Sequence, residues 1–249
     1  MKRAVIFDLL GTLVAPYDRS DYRRLLAAMA KAVMVDAESF THAWDRCYEE
    51  RTLGRLGDVK AMIGHIADLA GGKPDDAQLT GAAKIRQEFT TTRLVPRAGV
   101  VEMLTDLRSS GVVLGLLSDC SIDLPEAWRA STLAAMFDVA AFSAELGVRK
   151  PDPRSYRWVS DGLGCKPIEC LYVGDGGNGE LTGALHVGMT PIRLAFAQRE
   201  AAWVVGDDDY AAISAGSISQ LRGLLGDLTR PEPSGHDQHA SRSARDDNT

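Results

Sequence analysis

The sequence predicts an α/β protein, a Rossmann-like doubly wound parallel sheet with an all-α cap subdomain inserted into it. Three observations carry that expectation. Short apolar or β-branched runs at 4–7, 112–117, 139–142, 170–173 and 190–194 are bounded by Gly, Asp or Pro. Such unbroken runs read as parallel strands buried on both faces. Helical patterns separate most of these runs, and strand–helix–strand alternation at this spacing winds a parallel sheet. The stretch 16–93 breaks the rhythm, holding helical periodicity and no strand.

Taken in order, the first strand, Ala4-Val5-Ile6-Phe7, ends at Asp8. Tyr22, Leu25, Leu26, Met29 and Val33 then recur at helical spacing, followed by Phe40, Trp44, Cys47 and Tyr48, and by Ile63, Ile66 and Leu69. Nearly eighty residues are too many for a loop, so this block is an inserted helical subdomain. Its aromatics are assigned to its own core. Val100, Val101, Leu104 and Leu107 form the next helix, before Gly111 and the strand at 112–117. Residues 156–163 before Gly164, and 181–187 before Gly188, repeat the pattern, each glycine being placed to cap a helix C-terminus. The chain thus divides into a core of 1–15 and 94–229, a helical cap of 16–93, and a tail of 230–249. Pro, Ser, His, Asp, Arg and Asn dominate that tail, which predicts disorder.

Composition removes several function classes. With 249 residues, 45% hydrophobic and 25% charged, the chain can bury a sizeable core. No apolar run approaches the ~18 residues of a membrane span, and no membrane partner is expected. A net charge of −6 argues against a nucleic-acid partner, while a small anionic substrate stays open because one local site can oppose it. The first apolar stretch meets Asp8 too soon for a signal peptide, so a cytoplasmic location is expected. Cys47, Cys120, Cys165 and Cys170 lack Cys-x-x-Cys spacing and read as free thiols. The histidines at 42, 65, 186, 236 and 239 form no zinc-type pair. Oligomeric state leaves no readable mark.

The chemistry concentrates at strand ends. Asp8, Ser118, Lys150 and Asp175 follow or lie close after predicted strands, and in a parallel sheet the carboxyl ends converge on one ligand crevice. Singly, each has an ordinary structural use as a helix cap, a turn residue or a solvated charge. Together they supply a carboxylate nucleophile, a hydroxyl for an anion, a cation and a second carboxylate for a metal.

This ordered set resembles the haloacid dehalogenase superfamily of hydrolases, over roughly residues 3–225. The resemblance implies that Asp8 is the nucleophile and a Mg²⁺ ligand, that Thr12 supports its loop, and that Ser118 binds oxygens of the transferring group. It implies that Lys150 holds nucleophile and phosphate, and that Asp175 and Glu180 complete the metal site. The amides of Asp119 and Cys120 fall where they would line the oxyanion site. The insertion resembles that family's helical cap, which closes over the substrate. A small phosphorylated or otherwise anionic substrate is therefore expected, transferred through an aspartyl-phosphate.

One position departs from the pattern. Phosphatases of the family carry a second Asp two residues after the nucleophile, where this chain has Leu10. Leucine can still offer its backbone carbonyl to the metal but has no proton for a leaving group. General acid assistance is typically worth ~10²–10⁴-fold. Three readings follow: a phosphatase for leaving groups that need little protonation; 2-haloacid dehalogenase or phosphonatase-type chemistry; or a silent member that binds a phospho-ligand or partner. The dehalogenase reading has a Tyr156 match and needs a halide-binding arginine, for which Arg19, Arg23 and Arg24 are candidates. The phosphonatase reading needs a cap lysine, with Lys31, Lys60, Lys73 and Lys84 available. His42 and His65 are further cap residues that could supply a proton.

Overall fold

The computed structural model describes residues 2–196, 208, 210 and 213–230. The segment 231–249 with His236 and His239, and the acids Asp207 and Asp209, lie outside the described residues.

The sheet grows from β1 (Ala4–Phe7), whose four residues are all buried. β2 (Val113–Ser118) and β4 (Cys170–Gly174) flank it, β3 (Val139–Phe142) lies outside β2, and β5 (Thr190–Leu194) and β6 (Ser214–Ala215) extend the other side. The order is β3-β2-β1-β4-β5-β6, with parallel pairing throughout. This is the Rossmann-like α/β fold that the strand and helix patterns predict.

Alternate residues of β1 face opposite layers, as the two-residue strand period requires. Val5 and Phe7 join a cluster with α6 (Val100–Ser109), α7 (Asp123–Arg129) and α11 (Ile218–Thr229). Ala4 and Ile6 pack on the other side against Tyr156 and Val159 of α9 (Pro153–Gly162) and Leu181 and Ala184 of α10 (Glu180–His186). A short α8 (Ser143–Leu146) follows β3. Gly111, Gly164 and Gly188 all take positive φ where their helices end.

Between β1 and α6 come α1 (Arg19–Ala32), α2 (Ala37–Arg46), α3 (Tyr48–Thr52), α4 (Val59–Leu69) and α5 (Asp76–Arg93). Four of them begin at an aspartate, Asp18, Asp36, Asp58 and Asp75, whose side chain accepts from amides of the first turn. Leu26, Met29, Phe40, Trp44, Ile63 and Ile66 close a hydrophobic cluster separate from the two that sandwich the sheet. The two chain crossings lie side by side, since Val14 bridges Pro96 and the Arg97 amide donates to the Leu13 carbonyl at 2.9 Å. Among the described residues no helix is long and apolar enough to cross a membrane. All four cysteines are free and buried.

Candidate active site

The strand order places the site. β1 lies between β2 and β4, so the loops after these three strands meet above the carboxyl edge of the sheet. Asp8 follows β1, Ser118 closes β2, and Asp175 follows β4. Lys150 arrives from the segment before α9.

Lys150 is the hub. Its Nζ donates to Asp8 Oδ1 at 2.6 Å and to Glu180 Oε2 at 2.7 Å, and all three residues are buried. Thr12 donates to the other Asp8 oxygen at 3.0 Å. Glu180 is held further by the Tyr172 hydroxyl at 2.7 Å and by the Gly176 amide at 2.9 Å. Both of its oxygens thus have donors, and Glu180 orients the lysine as well as adding charge. Tyr156 donates to the Glu180 carbonyl at 2.8 Å, which pins the start of α10. Tyr156 is wholly buried and does not line the cleft, so it supports the site from behind.

Two glycines allow this crowding. Gly11 has φ of +97°, and a Cβ there would collide with the Asp175 carboxylate. A Cβ on Gly174 would strike Glu180. Backbone without side chains therefore lets the acids converge.

Acid outnumbers base in this cluster. Oxygens of Asp8, Asp175 and Glu180 lie within 4.8 Å of one another, with Lys150 the ammonium among them. Burial pushes the Asp8 carboxyl up to about 8; Lys150 opposes that shift, while Glu180 and Asp175 add to it. Burial works against the charge of Lys150, but Asp8 and Glu180 reverse this and hold it well above the usual lysine value. A set of hard carboxylate oxygens with unmatched negative charge fits Mg²⁺. The Leu10 side of the first loop also lines the cleft.

The remaining predicted positions are distributed unevenly. Asp119 lines the cleft, accepting from the Lys150 amide at 3.1 Å and from Asn178 at 3.5 Å, and burial raises its pKa. Ser118 is buried, its hydroxyl without a hydrogen-bond partner among the described residues, and it is not itself part of the cleft wall. The Cys120 amide donates to Ser143 Oγ at 2.9 Å, so the structure uses it to tie two loops together rather than leaving it open to an oxyanion.

The cleft has a volume of about 430 Å³ and runs between the strand ends and the inserted helices. The residues of the insertion divide between its own core, the cleft and the surface. Tyr22 and Trp44 belong to the insertion's hydrophobic cluster, as their spacing predicts, and together with Tyr17 and Tyr48 they also line this cleft. Trp44 and Tyr22 do both, since a helix-face residue next to a crevice has one edge in each. Arg19, Arg23 and Arg24 are exposed and absent from the cleft wall, as are Lys31, Lys73 and Lys84; Lys60 pairs with Asp76, and His42 and His65 are exposed.

The cations of the insertion that do reach the cleft are Arg51 and Arg86. Sequence reasoning missed both, yet a signal exists. Arg51 continues the stripe Trp44, Cys47, Tyr48 at the next helical step, and Arg86 lies on the buried face of α5 with Ala82 and Phe89. A charge on an apolar stripe needs a partner or a ligand. Arg86 has a partner: its Nε lies 2.9 Å from Asp123 Oδ2, both side chains being buried.

Comparison with known proteins adds the wider context. Residues 2–188 match the family model of haloacid dehalogenase-like hydrolases. A glyceraldehyde 3-phosphate phosphatase of Methanopyrus kandleri is 28% identical over 239 residues, covering 92% of this chain and 100% of the relative. An (S)-2-haloacid dehalogenase of Xanthobacter autotrophicus is 27% identical over 211 residues, covering 81% and 78%. The structure of L-2-haloacid dehalogenase from Xanthobacter autotrophicus superposes with a TM-score of 0.61 at 23% identity, covering 90% of this chain and 98% of that one.

Proposed function

The chain belongs to the haloacid dehalogenase-like hydrolases, and from that premise we propose that it is a Mg²⁺-dependent phosphatase working through an aspartyl-phosphate on Asp8. The observation that carries this reading is the acidic trio Asp8, Asp175 and Glu180, with oxygens within 4.8 Å and one lysine among them. Asp8, Asp175, Glu180 and the Leu10 carbonyl are the groups that would hold the ion. When bound, Mg²⁺ supplies charge neutralisation and polarises phosphoryl oxygens.

The chain's own residues do the rest. An Asp8 carboxylate oxygen attacks phosphorus, and the bond from phosphorus to the leaving oxygen breaks with its electron pair. Lys150, fixed by Glu180, which Tyr172 holds in turn, keeps Asp8 in place and offsets the charge that develops on the phosphoryl oxygens. The Ser118 hydroxyl, without a partner among the described residues though behind the cleft wall, is the group proposed to bind a phosphoryl oxygen. Water then attacks phosphorus, the bond to Asp8 breaks, and phosphate and free enzyme result. Leu10 contributes no proton, so the leaving oxygen departs as a weak base or takes its proton from water. The helical block 16–93 acts as the cap, its aromatic wall excluding water from the cleft.

A 2-haloacid dehalogenase reading draws on the same Leu10, because halide leaves without protonation. The charged Asp175 at the site weighs for metal chemistry instead. The readings separate in a metal-by-substrate screen. Phosphate release from p-nitrophenyl phosphate that needs Mg²⁺ and vanishes in Asp8→Asn supports the phosphatase. Halide release from 2-chloropropionate in excess chelator, without phosphate release, overturns it. Neither activity in folded protein leaves the ligand-binding reading standing.

A further inference from the structure

We propose that Arg51 is the anchor for a carboxylate on the substrate, so that the phosphoryl ester this enzyme takes carries a second, singly charged anionic group. The inference rests on the phosphatase reading for the identity of the first group and on the cleft itself for the second.

Arg51 lies on α3, in the wall of the cleft that contains Asp8 and Lys150, and is 5% exposed. Its guanidinium is fixed by neutral groups. Nε donates to the Trp44 carbonyl at 3.2 Å and Nη1 to Ser121 Oγ at 2.9 Å, while the guanidinium carbon sits 4.1 Å from the centre of the Trp44 ring. Nη2 has no hydrogen-bond acceptor among the described residues. No acid among them comes within ion-pair distance either, although Asp123 and Asp45 influence it from farther away. Burial accordingly lowers its pKa from the ordinary arginine value.

A buried charge is normally paired, because desolvation costs several kcal/mol. The other cations of the cleft obey that rule. Arg86 has Asp123 and Lys150 has Asp8 and Glu180. Arg51 alone of the three lacks a counter-charge among the described residues, and it faces the space a substrate would fill. Its planar group is already held by aromatic stacking and two hydrogen bonds, so little entropy is lost on binding. One unmatched guanidinium calls for one negative charge, which a carboxylate supplies and a second phosphate dianion exceeds. The small volume of the cleft limits the carbon skeleton between the two groups.

The test compares two probes of matched skeleton, 3-phosphoglycerate and glycerol 3-phosphate, which differ in carboxylate against hydroxymethyl. Their binding to the full-length protein is measured by calorimetry with Mg²⁺ present. Wild type is expected to favour 3-phosphoglycerate at least tenfold. Arg51→Gln should bring that ratio close to one, and Arg51→Lys should keep part of it. Equal affinities in wild type overturn the proposal whatever the variants do, so a poorly folded Arg51→Gln does not shield it. A preference that survives in folded Arg51→Gln overturns it as well, as does tighter binding of glycerol 1,3-bisphosphate than of 3-phosphoglycerate. Hydrolysis of p-nitrophenyl phosphate, followed in parallel, keeps the two claims apart. Carboxylate preference without hydrolysis sinks the phosphatase and spares Arg51, whereas hydrolysis without preference does the reverse.

Discussion

In the proposed phosphatase, Leu10 decides what the site can turn over. It lines the cleft two residues beyond Asp8 and offers a backbone carbonyl but no titratable side chain. An aryl phosphate, whose leaving oxygen is a weak base, should therefore be hydrolysed much faster than an alkyl phosphate. Leu10→Asp should raise the alkyl rate selectively by ~10²–10⁴-fold, the usual worth of general acid catalysis. Steady-state rates on phenyl phosphate and ethyl phosphate check this, and equal rates in wild type would remove the missing-acid argument. The residues at the strand ends were legible because a charged or hydroxyl group at the end of an apolar run is conspicuous. Arg51 was not, because its meaning depends on which acids fail to reach it, and that is a property of the folded cleft.

At the scale of elements, α5 and α7 join the inserted helices to the core. Arg86 meets Asp123 across this junction, Thr90 donates to the same Asp123 carboxylate at 2.5 Å, and Gln87 reaches Glu126 at 2.9 Å. Arg86→Met removes one partner of a buried pair and strands Asp123, a change that typically costs 3–5 kcal/mol, or about that order here. Urea unfolding should show that loss, with Asp123→Asn in the Arg86→Met background recovering part of it. A loss below about 1 kcal/mol would mean that the pair is weaker than its burial implies. The strands, their glycine-terminated helices and the helical insertion could be read from periodicity, since each signal is local. Which face of α2 and α3 turns toward the cleft could not. Trp44 and Tyr48 follow the same spacing whether they meet other helices or a ligand, and only the packing of the block on the strand ends distinguishes the two.

For the whole molecule, the net charge of −6 is a poor guide to the ligand. The cleft concentrates acid beside Lys150 and places the cations Arg51 and Arg86 on the opposite, helical side. In the proposed reading, these local groups and an ion held at the acidic trio would draw in an anion, against the sign of the protein as a whole. Binding of Mg²⁺ to the folded state should add stability, about 2.7 kcal/mol at one hundred times the dissociation constant. Thermal unfolding should thus shift upward with Mg²⁺ in wild type and shift little in Asp175→Asn, while an equal shift in both would place the ion elsewhere. The most direct test of the account is acid-quench mass spectrometry of wild-type protein mixed with p-nitrophenyl phosphate and Mg²⁺. The account predicts a transient phosphoryl adduct on the peptide that contains Asp8, decaying as free phosphate appears. Phosphate release with no adduct on that peptide at any time, or a carbon adduct formed from a 2-haloacid with loss of halide, would contradict it.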